Sequence, residues 1–207
     1  MAEARRATKR RGAEKTEAIL TGALQEFLAH GYAATSVDRI AAAAGVSKAT
    51  LYGHFDDKEA LFGALVARFV QERRLDPHDP RHRDFFAGEP AEVLRRLAAT
   101  ILDGFPRGDE PLAFMRLIIG EAERFPALAQ IFLATVPKPL IDGLGRYLAG
   151  RAELRLRDPE AVARIAFGAI LAFAITRNVL HGAELLPLSR ERLIDGLIAL
   201  VSGTAAA

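Results

Sequence analysis

Apolar residues recur at helical spacing along almost the whole 207-residue chain. In one early stripe, they return every three or four positions from Ile19 to Leu28, and Gly31 follows where a C-terminal cap would end the helix. Alternating β-branched runs are absent from the sequence, as is the Asn-Gly pair typical of hairpin turns. The pattern therefore predicts an all-α fold of about nine helices.

Capping signals predict several short helices after this stripe. Thr35, with Asp38 three residues later, has the spacing of a capping box. Gly45 is expected at the following turn, where a positive φ favours glycine, and Ser47 is expected to cap a third helix that reaches Phe55. A further capping pair, Asp56 and Glu59, predicts a fourth helix that runs to about residue 74.

The helical pattern is interrupted between residues 75 and 90, where prolines, histidines and charges predict a loop. Five later prolines are each expected in the first turn of a new helix: Pro90, Pro111, Pro126, Pro137 and Pro159. The predicted organisation is a disordered basic arm over 1–13, a helix-turn-helix domain with its connecting helix over 14–74, and a helical regulatory and dimerisation domain over 75–207.

Charge and cysteine content narrow the functional classes. The net charge is only +2, but the first fifteen residues hold six basic and two acidic side chains, as expected of an arm that binds phosphates or of a solubilising tail. The absence of cysteine excludes disulfides and thiol catalysis and fits a cytoplasmic protein. The start of the chain lacks a signal-peptide pattern. The uncharged segment from Ile165 to Thr176 falls short of the roughly 20 residues that span a bilayer, so no membrane partner is expected.

The segment Val37–Phe55, VDRIAAAAGVSKATLYGHF, has the spacing of a helix-turn-helix. Ile40 and Leu51 are expected to pack between its two helices, and the second helix is expected to face the major groove. The residues of that helix expected to point outward toward DNA, together with its cap, are Ser47, Lys48, Ala49, Thr50, Tyr52, Gly53 and His54. Helix N-terminal amides beginning at Ser36, and the basic side chains of Arg10 and Arg11, are expected to bind phosphates.

Twenty residues of this region carry a resemblance to a known family: Gly31, Tyr32, Thr35, Ser36, Val37, Ile40, Ala41, Ala44, Gly45, Val46, Ser47, Lys48, Thr50, Leu51, Tyr52, His54, Phe55, Lys58, Glu59 and Leu61. They resemble the N-terminal domain of TetR-family regulators over roughly residues 14–69. The resemblance implies binding to palindromic DNA as a homodimer, with Thr35, Tyr52 and Lys58 on phosphates and Lys48, Thr50 and His54 near bases. Ala49 stands where glycine is frequent and Gly53 where a larger side chain is common, so the operator cannot be inferred from relatives.

The second half resembles the C-terminal domain of the AefR-like branch of the same family, through the segment FMRLIIGEAERFPALAQIF, Phe114–Phe132. The resemblance implies dimerisation and often small-molecule sensing. The last two helices are expected to pair with those of a second copy, although an ordinary intramolecular core is the alternative. The residues predicted at the dimer interface are Ile165, Gly168, Ala169, Ala172, Leu193, Leu197, Leu200 and Val201.

An apolar and aromatic inducer pocket is expected in the same domain. Its predicted apolar lining, each member of which could instead be plain core, is Phe86, Phe105, Phe114, Met115, Ile118, Phe125, Phe132 and Phe173. Arg177, Asn178 and His181 end an apolar helix and are candidates to bind a ligand's polar group, or else form a solvated helix end.

The sequence offers few residues in patterns typical of enzyme active sites. The sequence has no glycine-rich phosphate loop, nucleophile elbow or HExxH motif. His78 and His82 lie among aspartates, but Pro77 and Pro80 prevent a regular helix that would place both rings on one face. No metal and no cofactor are therefore expected. The favoured function is a dimeric repressor that a small apolar or amphipathic ligand releases from its operator; a transcriptional activator and a helical protein-interaction adaptor are the alternatives.

Overall fold

The computed structural model of the protein describes residues 1–72, 84–104 and 109–203. Within these ranges the chain forms α-helices and short helical turns with no strand, which confirms the all-α prediction. Each of the five prolines lies in the first turn of a helix, as predicted. The helices are α1 (Ala2–Ala34), α2 (Val37–Ala43), α3 (Lys48–Tyr52), α4 (Lys58–Glu72), α5 (Pro90–Gly104), α6 (Asp109–Glu121), α7 (Pro126–Thr135), α8 (Pro137–Ala149), α9 (Pro159–Ala174) and α10 (Arg190–Gly203).

The first helix begins at Ala2, so the backbone of the segment predicted as a disordered arm is helical. Residues 2–11 contain neither proline nor glycine and consist largely of alanine, glutamate, lysine and arginine, which favour helix. One turn further on, Arg10 and Glu14 form an exposed i,i+4 ion pair at 3.4 Å. The sequence had identified the charge of this segment but not its conformation.

Two of the predicted caps are confirmed and two are displaced by one residue. Gly45 has φ +64°, and the Ser47 hydroxyl accepts from the Thr50 amide at 3.1 Å, as expected. Ser36 rather than Thr35 caps α2, and the Asp57 carboxylate rather than that of Asp56 accepts from the amide at the start of α4, at 2.6 Å. In each displaced case two adjacent residues could cap, and the second of them does so.

Contacts divide the chain into two compact units. The N-terminal unit comprises Met1–Phe69 and Ala113–Phe132, and the C-terminal unit comprises Val70–Leu112 and Leu133–Ala207. The boundary predicted near residue 74 therefore omits most of α6 and most of α7 from the unit that holds the helix-turn-helix. The physical reason is aromatic packing: the Phe114 ring lies 5.3 Å from that of Phe62.

Helices α5, α8, α9 and α10 enclose the core of the C-terminal unit. A Cβ at Gly143 of α8 would overlap the ring of Phe86, so the glycine makes room for an aromatic side chain in this core. Leu197 and Val201, predicted at the dimer interface, are buried in the same core and are therefore intramolecular. Leu200 of the same helix is instead 69% exposed.

Helix α9 and the π-helical turn after it form a 21-residue apolar span, Pro159–Val179, which is long and apolar enough to cross a membrane by length and composition alone. This span is longer than the uncharged segment noted in the sequence. Its inner positions Ala163, Ala166 and Ile170 are buried in the core of the C-terminal unit, as in the core helix of a folded domain. Its opposite face is exposed, with Ile165 at 67%.

Candidate nucleic-acid interface

The helix-turn-helix is fixed from within by buried residues of α2 and α3. Ile40 and Leu51 are fully buried, as the sequence predicts. Gly22 lets α1 approach this pair of helices closely, because a Cβ there would lie 2.9 Å from the Ala44 amide nitrogen. The short helix α3 therefore depends on tertiary contacts for its position, since five residues are too few to form a stable helix alone.

The outward face of α3 presents the residues expected to meet DNA. Lys48, Ala49 and the cap Ser47 are exposed at its N-terminus, and Tyr52, Gly53 and His54 are exposed at its C-terminal end. Thr50 is half-buried, and its hydroxyl lies 2.9 Å from the Ser47 hydroxyl. One short helix thus brings together a cation, two hydroxyls, a phenol and an imidazole on a single exposed surface.

Lys48 is held by a partner that the sequence analysis did not assign. Its ammonium group lies 2.9 Å from Oδ1 and 3.0 Å from Oδ2 of Asp38 on α2, and this hydrogen bond raises the pKa of Lys48. Both side chains are exposed, so the pair contributes little stability and its cation can exchange Asp38 for a phosphate or a base edge. Asp38 therefore orients Lys48 in the free protein.

His54 joins the end of the recognition helix to α1. Its Nδ1 lies 3.0 Å from the Thr16 hydroxyl, which itself donates to the Gly12 carbonyl at 3.1 Å. A polar residue midway along α1 thus helps to fix the orientation of α3.

Thr35 does not contribute its side chain to a phosphate site, contrary to the prediction. It is 2% exposed, and its hydroxyl lies 3.0 Å from the Glu26 carbonyl and 2.8 Å from the Gly31 carbonyl. The break in α1 at Gly31, with φ 78° and ψ 163°, leaves these carbonyls for the hydroxyl. Thr35 is therefore a structural residue of the turn between α1 and α2.

Lys58 is largely committed to the same turn. Its ammonium donates to the Tyr32 carbonyl at 2.8 Å and to the Thr35 carbonyl at 3.0 Å, and lies 4.2 Å from the centre of the Tyr32 ring. Burial lowers the pKa of Lys58, while the charge of Glu121 acts in the opposite direction. Burial and the charges of Glu59 and Asp57 raise the pKa of Tyr32 to about 12. At most one N–H of Lys58 remains for a phosphate.

The basic side chains of Arg10 and Arg11 are exposed, and Arg10 is paired with Glu14. Ser36 is also exposed, and its hydroxyl accepts from the Arg39 amide at 3.3 Å. These residues retain the accessibility that a phosphate contact requires.

The predicted inducer-pocket residues do not gather in one cavity within either unit. Phe114 and Phe125 belong to the N-terminal unit, where Phe125 packs against Tyr32 with 5.0 Å between ring centres and Phe114 stacks on Phe69 at 4.7 Å. Ile118 is buried and Met115 and Phe132 are half-buried in that unit, whereas Phe86 lies in the core of the other. Phe105 lies outside the described residues, as do His78 and His82. These aromatic residues therefore pack in the cores of two different units. Helical periodicity indicates that a residue is buried, but it does not indicate in which unit.

A groove of about 460 Å³ in the C-terminal unit joins residues from both predicted sets. Phe173 and Arg177 line it together with three residues of the predicted dimer face, Ala169, Ala172 and Leu193. Its remaining wall is the loop before α10, in which Leu185 and Leu186 are 85% and 69% exposed, a feature that the sequence analysis did not single out. The adjoining segment carries Asn178 in the π-helical turn and His181 at φ +55°.

The fold and the exposed α3 define a class, the helix-turn-helix DNA-binding proteins. Residues 19–65 match the family model of bacterial regulatory proteins of the tetR family, and residues 92–201 match that of the AefR-like transcriptional repressor C-terminal domain. The chain therefore belongs to the TetR family of DNA-binding transcriptional regulators, as the resemblance in the sequence implied. The similar proteins are transcriptional regulators and not enzymes.

Individual similar proteins are also regulators or repressors by name. The HTH-type transcriptional regulator AcrR of Shigella flexneri is 30% identical over 57% of this chain and 54% of its own length. The HTH-type transcriptional repressor BepR of Brucella suis is 40% identical over 37% of this chain and 41% of its own. The chain thus spans about half the length of these curated relatives. Among solved structures, the flavonoid-responsive regulator FrrA is 32% identical, with a TM-score of 0.70 over 94% of this chain and 96% of that one.

Proposed function

We propose that the protein is a homodimeric, cytoplasmic repressor that binds a palindromic operator through α3 and is released by a small apolar or amphipathic ligand. The observation that carries the proposal is the exposed polar surface of α3 on a rigidly packed helix-turn-helix. Lys48, Thr50 and His54 are assigned to base edges, Ala49 to a thymine methyl group, and Tyr52 to a phosphate. Gly53 leaves space for close approach of the DNA backbone, and Arg10 and Arg11 extend the basic surface along α1.

Homodimerisation through α9 and α10 is supported by an exposed apolar face. Ile165 and Leu200 are 67% and 69% exposed, and in the part of the chain that the structure describes a Cβ at Gly168 or Gly196 would meet no atom within 4 Å. A contiguous exposed apolar face on a soluble protein marks an interface. The small residues Gly168, Ala169 and Ala172 would let a second copy approach closely. A two-fold axis would place two α3 helices about 34 Å apart, which requires a palindromic site.

Ligand release is supported by the likeness to a regulator described as flavonoid-responsive. Phe173 and Arg177 line the groove of the C-terminal unit and supply an apolar surface beside a cation, which suits an amphipathic anion or phenol. Asn178 and His181 adjoin it. A ligand that binds more tightly to the DNA-incompetent arrangement of the dimer would empty the operator by population shift.

Selection of bound DNA from a random pool should recover a palindrome, and Lys48→Ala should change its sequence. We expect Lys48→Ala to weaken discrimination at the contacted base by about 1–3 kcal/mol, because a good side-chain contact to a base edge contributes that much. Lys138→Ala is the matched control, since Lys138 is also an exposed lysine paired with an aspartate, Asp142. Equal losses on every operator sequence for Lys48→Ala, or a pool with no palindrome, would contradict the assignment.

The selected operator also provides the test of ligand release. Titrating a flavonoid into the protein–operator complex should lower operator affinity, and the operator should lower flavonoid affinity by the same factor, because coupling between two sites is reciprocal. Calorimetric titrations in both orders measure the two factors. If the operator affinity and the flavonoid affinity are independent of each other, the flavonoid is not the releasing ligand. That result would not contradict the proposed DNA binding.

A further inference from the structure

The segment from Glu121 to Phe125 lies within the motif that marks the C-terminal family resemblance, yet its contacts are with the start of the DNA-binding region. Oε1 of Glu121 accepts hydrogen bonds from the Tyr32 amide at 3.1 Å and from the Ala33 amide at 3.4 Å. The Phe125 ring packs edge-on against the Tyr32 ring, and the Arg124 guanidinium lies 5.4 Å from the Phe125 ring centre. Nearly ninety residues of sequence separate the bonded groups, so only the fold creates this contact.

Gly31 makes the contact possible. It departs from helical geometry at φ 78° and ψ 163°, a conformation that L side chains rarely adopt. A Cβ at Gly31 would also lie 3.1 Å from Oε1 of Glu121, closer than ordinary side-chain contacts. The glycine thus turns the chain out of α1 and admits the carboxylate beside the two amides that follow.

Opposite charges hold the two sides of this turn. The Glu121 carboxylate accepts from the amides of Tyr32 and Ala33, while the Lys58 ammonium donates to the carbonyls of Tyr32 and Thr35. Hydrogen bonds to charged groups are stronger than those between neutral groups. Two residues distant in sequence therefore fix four backbone groups of one short turn.

This turn leads directly into the helix-turn-helix. Ser36, the residue after Thr35, is the N-cap of α2, and α2 packs against α3. The direction in which the chain enters α2 consequently sets where α3 lies relative to α1 and α4. We therefore expect the loss of one anchor to alter the entry into α2 while the buried contacts of α2 and α3 remain.

We propose that Glu121 is a positioning residue for DNA reading: its carboxylate fixes the turn from Gly31 to Thr35 and thereby the orientation of α2 and α3. Glu121 touches no DNA in this assignment and acts through Tyr32 and Ala33. The inference rests on operator binding by α3 but adds a residue that lies outside the helix-turn-helix. It also gives the FMRLIIGEAERFPALAQIF motif a local physical role.

The test compares Glu121→Ala, Glu121→Gln and the control Glu123→Ala in the full-length protein. Glu123 is an exposed glutamate on the same segment, so its removal matches the change in charge. Hydrogen–deuterium exchange of the peptide that contains Tyr32 and Ala33 reports the two amides, and titration of the selected operator reports DNA reading. We expect Glu121→Ala to speed exchange at these amides and to weaken operator binding, each by at least about tenfold, because the variant loses both hydrogen bonds to the carboxylate and one bond to a charged group alone corresponds to about tenfold.

Glu121→Gln should give intermediate values because its amide oxygen still accepts, and Glu123→Ala should match the wild type. Unchanged exchange at Tyr32 and Ala33, or faster exchange with unchanged operator affinity, overturns the proposal. Faster exchange across the whole N-terminal unit also overturns it, since that result assigns Glu121 to general stability. If Glu121→Ala does not fold, Glu121→Gln carries the same comparison. A wild type that binds no selected DNA refutes the proposed function, while the exchange result still decides whether the carboxylate holds the turn.

Discussion

Gly168→Glu should leave the protein folded, convert it from a dimer to a monomer and abolish high-affinity operator binding. The substitution places a charge in the middle of the exposed apolar face of α9, where a Cβ at Gly168 would meet none of the described residues within 4 Å. Replacing a helical glycine should stabilise α9 by up to about 1 kcal/mol, so the monomer keeps its fold. A second copy, however, would have to bury an unpaired carboxylate, which costs several kcal/mol.

Gly120→Glu is the matched control for this experiment. Gly120 is also a helical glycine whose Cβ would meet no described residue within 4 Å, but it belongs to α6 of the N-terminal unit and is not one of the residues of the proposed interface. Sedimentation measures the oligomeric state, and titration of the palindrome measures affinity. We expect Gly168→Glu to lose roughly hundredfold or more in operator affinity, because each 1.4 kcal/mol corresponds to tenfold. A Gly168→Glu protein that remains dimeric and binds the palindrome would place the interface elsewhere.

Lys58→Met should lower stability and weaken binding to every operator by the same factor. Methionine retains an apolar chain beside the Tyr32 ring but donates to neither the Tyr32 nor the Thr35 carbonyl. Hydrogen bonds to a charged group contribute about 1.5–3 kcal/mol each, and partial exposure reduces this, so we expect a net loss of about 2 kcal/mol. That loss corresponds to a fall in Tm of roughly 4–8 °C for a chain of this size.

Lys138→Met is the control for Lys58→Met, because Lys138 is an exposed lysine with a single local partner. Thermal unfolding and binding to a panel of operator variants give the two readouts. A sequence-dependent loss would show that Lys58 reads bases, and an unchanged Tm with uniformly weaker binding would restore the phosphate role implied by the family resemblance. The distinction matters because the family resemblance implies a phosphate contact for Lys58, whereas its hydrogen bonds lie within the protein.

The helix-turn-helix could be predicted because its signals are local. Gly45 and Ser47 determine the turn and the start of α3 through φ preference and a side-chain cap, and Ile40 and Leu51 form its core through helical spacing. Capping by Thr35 could not be excluded from the sequence, since Thr35 and Ser36 are both good caps. Only the break at Gly31, whose carbonyl approaches the Thr35 hydroxyl, leaves Ser36 as the cap.

The C-terminal residues show where local pattern fails. Leu197, Leu200 and Val201 share one helical stripe in the sequence, but α10 turns Leu200 outward and buries the other two. Phe114 and Phe125 were predicted to line a pocket, yet both pack with the N-terminal unit. Periodicity records that a face is apolar, and it does not record which helix, unit or second copy covers that face.

The sequence by itself determined the helical class, the position of the DNA-reading helix and the family, because caps, turns and short-range spacing act between neighbours in the chain. The tertiary structure alone decided the partners of the polar residues. Three partners illustrate this. Lys48 pairs with Asp38, 10 residues away in the sequence, and His54 contacts Thr16, 38 residues away. The Tyr32 amide, which follows Gly31, donates to Glu121, 89 residues away. Such pairings depend on how helices pack, and no local propensity encodes them.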